Sequence, residues 1–233
     1  MDLKKLTRLA GSLAASLVIS TAASAGVVWQ EKAPGAGDLT TTAQVTADSA
    51  QGPLTGITGA LRSVVPVGNS GNPTTFEIDV YQIRIDPTLG FFSARTVSST
   101  PDDTSLFLFD SMGLGVYMND DNGVDLLSAL PDRDLLAGFY YIAVALGGAE
   151  AYDAAMVASF MAGGFTDVRD GDTNAGPLQS WGTQFAAGTE PDFGYSIELT
   201  GARVAVPEPA TLALVLFMAI GLVAKRRATA RRP

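Results

Sequence analysis

The side chains of this chain that could do chemistry are carboxylates. Aspartates pair at Asp102-Asp103 and Asp120-Asp121, and a third group runs Asp170-Gly171-Asp172. Their oxygens are hard donors of the kind Ca²⁺ prefers. Neither acidic loop has the register of an EF-hand. In Asn119-Asp120-Asp121-Asn122-Gly123 the ligand positions and the glycine are out of step, and in the run from Asp170 the sixth and twelfth places fall to Ala175 and Trp181. Two readings therefore stand side by side: a calcium site at Asp102, Asp103, Asp120 and Asp121, or Asx-turns that shape loops and keep the surface hydrated. Histidine and cysteine are both missing from all 233 residues. That removes Ser-His-Asp and Cys-His nucleophiles, the common zinc ligand sets and imidazole acid–base work. Lys32 is the one lysine between the two basic ends, in a Gly/Pro-rich lead-in, a poor setting for Ser–Lys chemistry. A carboxylate pair flanking a glycosidic bond is the remaining enzymatic option. Among so many carboxylates some pair always has suitable spacing, so that option carries no signal. The chain reads as a non-enzyme. Trp29, Trp181, Tyr117 and Tyr195 are either a carbohydrate-stacking platform or part of the core.

Both ends have a separate character from the middle. Lys4, Lys5 and Arg8 precede an apolar stretch at 9–20 that is too short to span a membrane, and Ala23-Ser24-Ala25 follows. This is the anatomy of a secretory signal peptide over 1–25, with signal peptidase cutting between Ala25 and Gly26. At the other end Val206-Pro207-Glu208-Pro209 leads into an uncharged stretch at 210–224, closed by Lys225, Arg226 and Arg227. As a helix that stretch reaches about 22 Å against a ~30 Å hydrocarbon core, a thin permanent anchor. The basic cluster would be held on the cytoplasmic side, leaving everything before Val206 outside.

The order of motif, apolar segment and basic cluster over 206–233 resembles the PEP-CTERM sorting signal of Gram-negative bacteria. The resemblance implies that Pro207, Glu208 and Pro209 mark where a membrane-embedded exosortase acts. It also implies an inner-membrane intermediate and a final place at the cell surface or in the exopolysaccharide matrix. An ordinary C-terminal anchor is the alternative. The tail continues from Ala228 to Pro233 with Arg231 and Arg232, which adds positive charge and leaves the match intact.

The body, 26–205, carries seven Lys or Arg against 22 Asp or Glu, hence a net charge of −15. Nothing here neutralises phosphates, so nucleic acid is excluded as a partner, and cations are the natural counterpart. Its length suits one domain. Without disulfides the domain must be held by its core, by metal, or by both.

Short apolar segments separated by turn chemistry dominate it. Phe76, Ile78 and Val80 alternate with Glu77 and Asp79, and then the phase flips so that Tyr81, Ile83 and Ile85 alternate with Gln82 and Arg84. Either a bulge lies there or both faces are covered. Residues 105–110 are apolar on both faces, which suits a central strand. Further strands are expected at 27–29, 54–61, 91–97, 116–118, 138–146 and 195–199. One helix is expected at 150–161, Ala-rich, with Tyr152, Met156 and Phe160 four apart and Gly163-Gly164 closing it. Residues 167–177 and 182–192 read as loops. The sum is an all-β, two-sheet antiparallel jelly-roll-like sandwich with one short helix.

The order Phe76-Glu-Ile-Asp-Val-Tyr-Gln-Ile, Asp102-Asp-Thr-Ser-Leu-Phe-Leu-Phe-Asp, Gly115-Val-Tyr-Met-Asn-Asp-Asp and Gly138-Phe-Tyr-Tyr-Ile-Ala-Val resembles the bacterial pre-peptidase C-terminal domain over 54–146. The stretch after Gly147 departs from it. The resemblance implies a non-catalytic sandwich of secreted and surface proteins, with calcium or polymer binding in some members. The sequence therefore points to an exported surface or exopolysaccharide-matrix protein, with a carbohydrate- or calcium-binding receptor module as the alternative.

Overall fold

The computed structural model describes residues 25–47, 52–64, 75–99, 103–182 and 192–205. Two sheets account for most of it. The first runs β1 (Val27–Gln30), β3 (Leu54–Val64), β14 (Asp192–Thr200), β6 (Phe92–Ser99), β9 (Ala129–Arg133), with β4 (Thr75–Phe76) also on β3. The second runs β12 (Arg169–Asp170), β8 (Gly115–Asn119), β7 (Thr104–Phe109), β10 (Gly138–Leu146), β5 (Asp79–Ile85), β15 (Ala202–Val204), with β2 (Gln44–Val45) beside β5. Pairing is antiparallel except for β1 on β3 and β2 on β5. A two-stranded ribbon, β11 (Ala151–Tyr152) with β13 (Ser180–Trp181), completes the set.

The phase flip in β5 has a simple origin. Its pairing with β10 runs without interruption from Asp79↔Val144 to Ile85↔Gly138, so no bulge lies between Val80 and Tyr81. Both faces of the second sheet are covered instead. Tyr81, Ile83, Leu106, Leu108, Tyr117, Ile142 and Val144 pack between the two sheets. Val80, Phe107, Phe109, Met118, Ala143 and Ala145 face the other way, into a second core closed by Phe160, Leu178 and Trp181. Successive strand residues point to opposite faces, so a strand covered on both sides reads as an unbroken apolar run. This is the case for β7, every residue of which is buried.

The helix expected at 150–161 is not formed. Residues 147–182, apart from β12 at the edge of the second sheet, make an irregular layer over that sheet. Ala151 pairs with Trp181, Tyr152 bridges to Ala158, and Phe160 bridges to Gly171. The Asp153 carboxylate accepts from the amides of Ala155, Val157 and Gly176, at 2.8 Å each, and Met156 lies at φ 62°. An aspartate that captures nearby amides offers the backbone an alternative to helical bonding, and here the alternative wins. The four-residue spacing has no shared face: Phe160 is buried while Met156 is 66% exposed.

Strand β9 is absent from the sequence expectation. It contains Pro131, which reads as a break, yet it lies at the edge of its sheet and is paired only with β6. An edge position tolerates a missing donor.

Candidate functional site

The acidic corner is built by the ends of β7, β8 and β10. Asp120 follows β8, and its carboxylate is almost fully buried. It accepts from the Ser105 hydroxyl and from the Gly148 amide at 3.0 Å. Asn119 beside it is also buried, receiving the Ala129 amide and donating to the carbonyls of Asp121 and Asp167. Asp103, one residue before β7, lies close against Gly147. Burial pushes its carboxyl up to about 6, helped by the nearby charges of Asp120 and Asp121. Asp121 is pushed in the same direction, by burial first and then by Asp120 and Asp125.

Three of the four nominated carboxylates thus share one corner, while Asp102 lies outside the described residues. Asp120 spends its oxygens on internal donors, and among the described residues no three acidic side chains are placed to hold a metal ion. The neighbouring loop is shaped by Asx geometry: Asn122 Oδ1 accepts from the amides of Val124 and Asp125, and Asp125 from that of Leu127. The run from Asp170 behaves alike, with Asp172 accepting from the Asn174 amide. Residues of this kind are doing local structural work.

The four nominated aromatics do not form a platform. Trp29, Tyr117 and Tyr195 are buried between the sheets. Trp181 is half-buried against Phe107 and Phe109, edge-on at 5.0 and 6.0 Å. Lys32 lies over the Trp29 ring, 3.8 Å from its centroid, and Arg133 over that of Tyr117 at 4.1 Å.

A third constellation was read from the sequence only as strand alternation. Asp79 and Tyr81 project from β5 into the space between the sheets, where Tyr195 of β14 meets them. The Tyr195 hydroxyl donates to Asp79 Oδ2 at 2.6 Å and lies 2.5 Å from the Tyr81 hydroxyl. The β5 alternation placed Asp79 among the polar residues, opposite the apolar Ile78 and Val80. The signal that could have found it is Asp79 in phase with Tyr81, Ile83 and Ile85, the face that is buried. Thr96 of β6, Thr104 of β7 and Ser128 form a closed triangle of buried hydroxyls at 2.7–3.0 Å.

Compared with family models, curated proteins and solved structures, the chain matches none of them.

A groove of about 820 Å³ crosses β1, β3, β14, β6 and β9 on the outer face of the first sheet. Its floor carries Val28, Ser93, Arg95, Val97, Glu198 and Thr200. Ser93 and Thr200 share a 2.7 Å hydroxyl pair, and Arg95 holds Glu198 through Nε and Nη2 at 3.0 and 2.5 Å. The signal-peptide residues before Ala25 and the sorting residues Pro207, Glu208, Pro209, Lys225, Arg226 and Arg227 lie outside the described residues. Among the described residues no helix is long and apolar enough to cross a membrane.

Proposed function

We propose that this chain is an exported, non-enzymatic β-sandwich of the cell surface or of the exopolysaccharide matrix, sorted through its PEP-CTERM-like tail. The observation that carries this reading is the tail itself: Val206-Pro207-Glu208-Pro209, an uncharged 210–224 and Lys225-Arg226-Arg227, opposite a signal-like N-terminus. The sandwich supports it. Among the described residues strand β1 starts at Val27 and β15 ends at Val204, so a cut before Gly26 and another beside Pro207 remove none of the described strands. In this reading signal peptidase frees Gly26, the tail holds the folded body at the inner membrane, and an exosortase releases it to the surface. The experiment is fractionation of cells with and without their exosortase. A shortened surface form that reverts to a full-length membrane form without the exosortase is expected, and a full-length membrane form in both backgrounds sinks the proposal.

A second reading, a carbohydrate-binding receptor module, is supported by the groove over β1, β3, β14, β6 and β9. Its ligand would be held by hydroxyls and by the Arg95–Glu198 pair, since the nominated aromatics are packed inward. Glycan-array binding that Arg95→Ala abolishes favours this reading, and an empty array removes it.

A further inference from the structure

Asp79 is fully buried between two sheets, and its Oδ1 has no hydrogen-bond partner among the described residues. The Tyr195 proton goes to Oδ2, so the short contact between the two phenols must be donated by Tyr81. The result is a directed chain, Tyr81 to Tyr195 to Asp79, joining the second sheet to the first. Tyr195 of β14 touches the carboxyl, while the charges of Glu31 after β1, Glu77 just before β5 and the exposed Arg62 of β3 act on it from further away. Segment 31–37 borders the site: Glu31 Oε2 and the Tyr195 hydroxyl both lie against Gly59, and the Gly37 carbonyl accepts the Val80 amide at 2.9 Å. Glu31 and Arg62 also clip the segment 31–36 onto β3. Glu31 accepts the amides of Ala60 at 2.9 Å and Ala36 at 3.3 Å, while Arg62 Nη1 donates to the Pro34 carbonyl at 2.7 Å.

We propose that Asp79, Tyr195 and Tyr81 form a proton-operated latch, closed with the proton on Asp79 and loosened when it leaves, because the bare carboxylate, with no donor for Oδ1, draws water in past segment 31–36, which borders the site through Glu31 and through the Gly37 carbonyl that accepts the Val80 amide. An unpartnered charge between two apolar sheets is costly, so the ionised form favours any opening that lets water reach it. Burial is the main cause that pushes the Asp79 carboxyl up to about 7. The Tyr195 hydrogen bond opposes it, Glu31 and Glu77 add to it, and Arg62 opposes it again. The chain has no histidine, so no imidazole answers in the same range. Such a latch would let an exported sandwich respond to the acidity of its surroundings, and it acts whatever route sorts the chain.

The test uses the full-length chain in detergent micelles. Infrared titration from pH 5 to 9 follows the carbonyl band of a buried carboxylic acid, and hydrogen exchange follows the amides of 31–36 after correction for intrinsic rates. The band is expected to vanish near neutral pH, with exchange rising about tenfold over the same interval. Both changes are lost in Asp79→Asn and kept in Asp103→Asn. A band that disappears below pH 5 or persists to pH 9, or exchange in 31–36 equal at pH 6 and pH 8, overturns the latch. The wild-type titration alone decides if Asp79→Asn fails to fold.

Discussion

An aspartate kept neutral by the fold and charged in the unfolded chain ties stability to pH with a definite sign. The Asp79 carboxyl is raised from 3.8 to about 7. Its contribution is complete below the unfolded value and is lost as pH rises through the folded one. The loss is of order 4 kcal/mol at about 1.4 kcal/mol per unit. Asp103 works in the same direction over the narrower window from 3.8 to about 6. Asp86 works in the opposite direction. Its Thr88 hydrogen bond and Arg203 pull it down to about 2, so its share is present above 3.8 and is lost as pH falls towards 2. Urea unfolding should therefore show a lower midpoint at pH 8 than at pH 5, and Asp79→Asn should flatten that difference. Asp120 makes a different demand. Asp120→Ala leaves the buried Ser105 hydroxyl and the Gly148 amide without their acceptor. A loss of about 1–3 kcal/mol is expected in urea melts, unchanged by EDTA.

At the level of elements, β5, β7 and β10 were legible because their apolar content follows from their neighbours on both sides. The residues 150–161 were misread because a helix pattern says where apolar side chains recur, not where backbone amides find acceptors. Asp153 supplies those acceptors, and the pairing of Ala151 with Trp181 across thirty residues fixes the rest. The layer over 147–182 is held to the second sheet by Phe107, Phe109, Phe160 and Trp181, with ring centroids 5.0–6.5 Å apart. Phe107→Ala should cost about 3–5 kcal/mol. Its signature is local: amides of 147–182 should gain exchange more than those of β1, β3 and β14. Uniform loss of protection would mean that the layer and the sandwich unfold as one unit. Strand β9 shows the converse limit, since Pro131 is tolerated only because the topology places it at an edge.

For the molecule as a whole, net charge is the property to start from. A body at −15 repels itself, and any added cation relieves part of that repulsion. With Asp120 committed to Ser105 and Gly148, Ca²⁺, Mg²⁺ and NaCl of matched ionic strength are expected to raise the melting temperature alike. A Ca²⁺-selective rise abolished by Asp121→Ala would favour the calcium reading. At the tail, Glu208→Ala should leave a membrane-associated, unprocessed chain, and release at the wild-type rate would favour a simple anchor. N-terminal sequencing of the surface form should start at Gly26. What the sequence determined by itself is whatever depends on composition and local order. That covers the all-β class, the absence of imidazole and thiol chemistry, and the acidic body, while export and sorting are proposed from the two ends. What only the tertiary structure decided is where long-range pairing brings distant residues. It set Asp79 against Tyr195, spaced 116 residues apart, and laid 147–182 over one sheet face. It also turned the nominated aromatics inward. The physical reason is that burial belongs to a position in space: a carboxylate in an alternating strand is solvated or desolvated according to which sheet closes over it, and no local pattern records that choice.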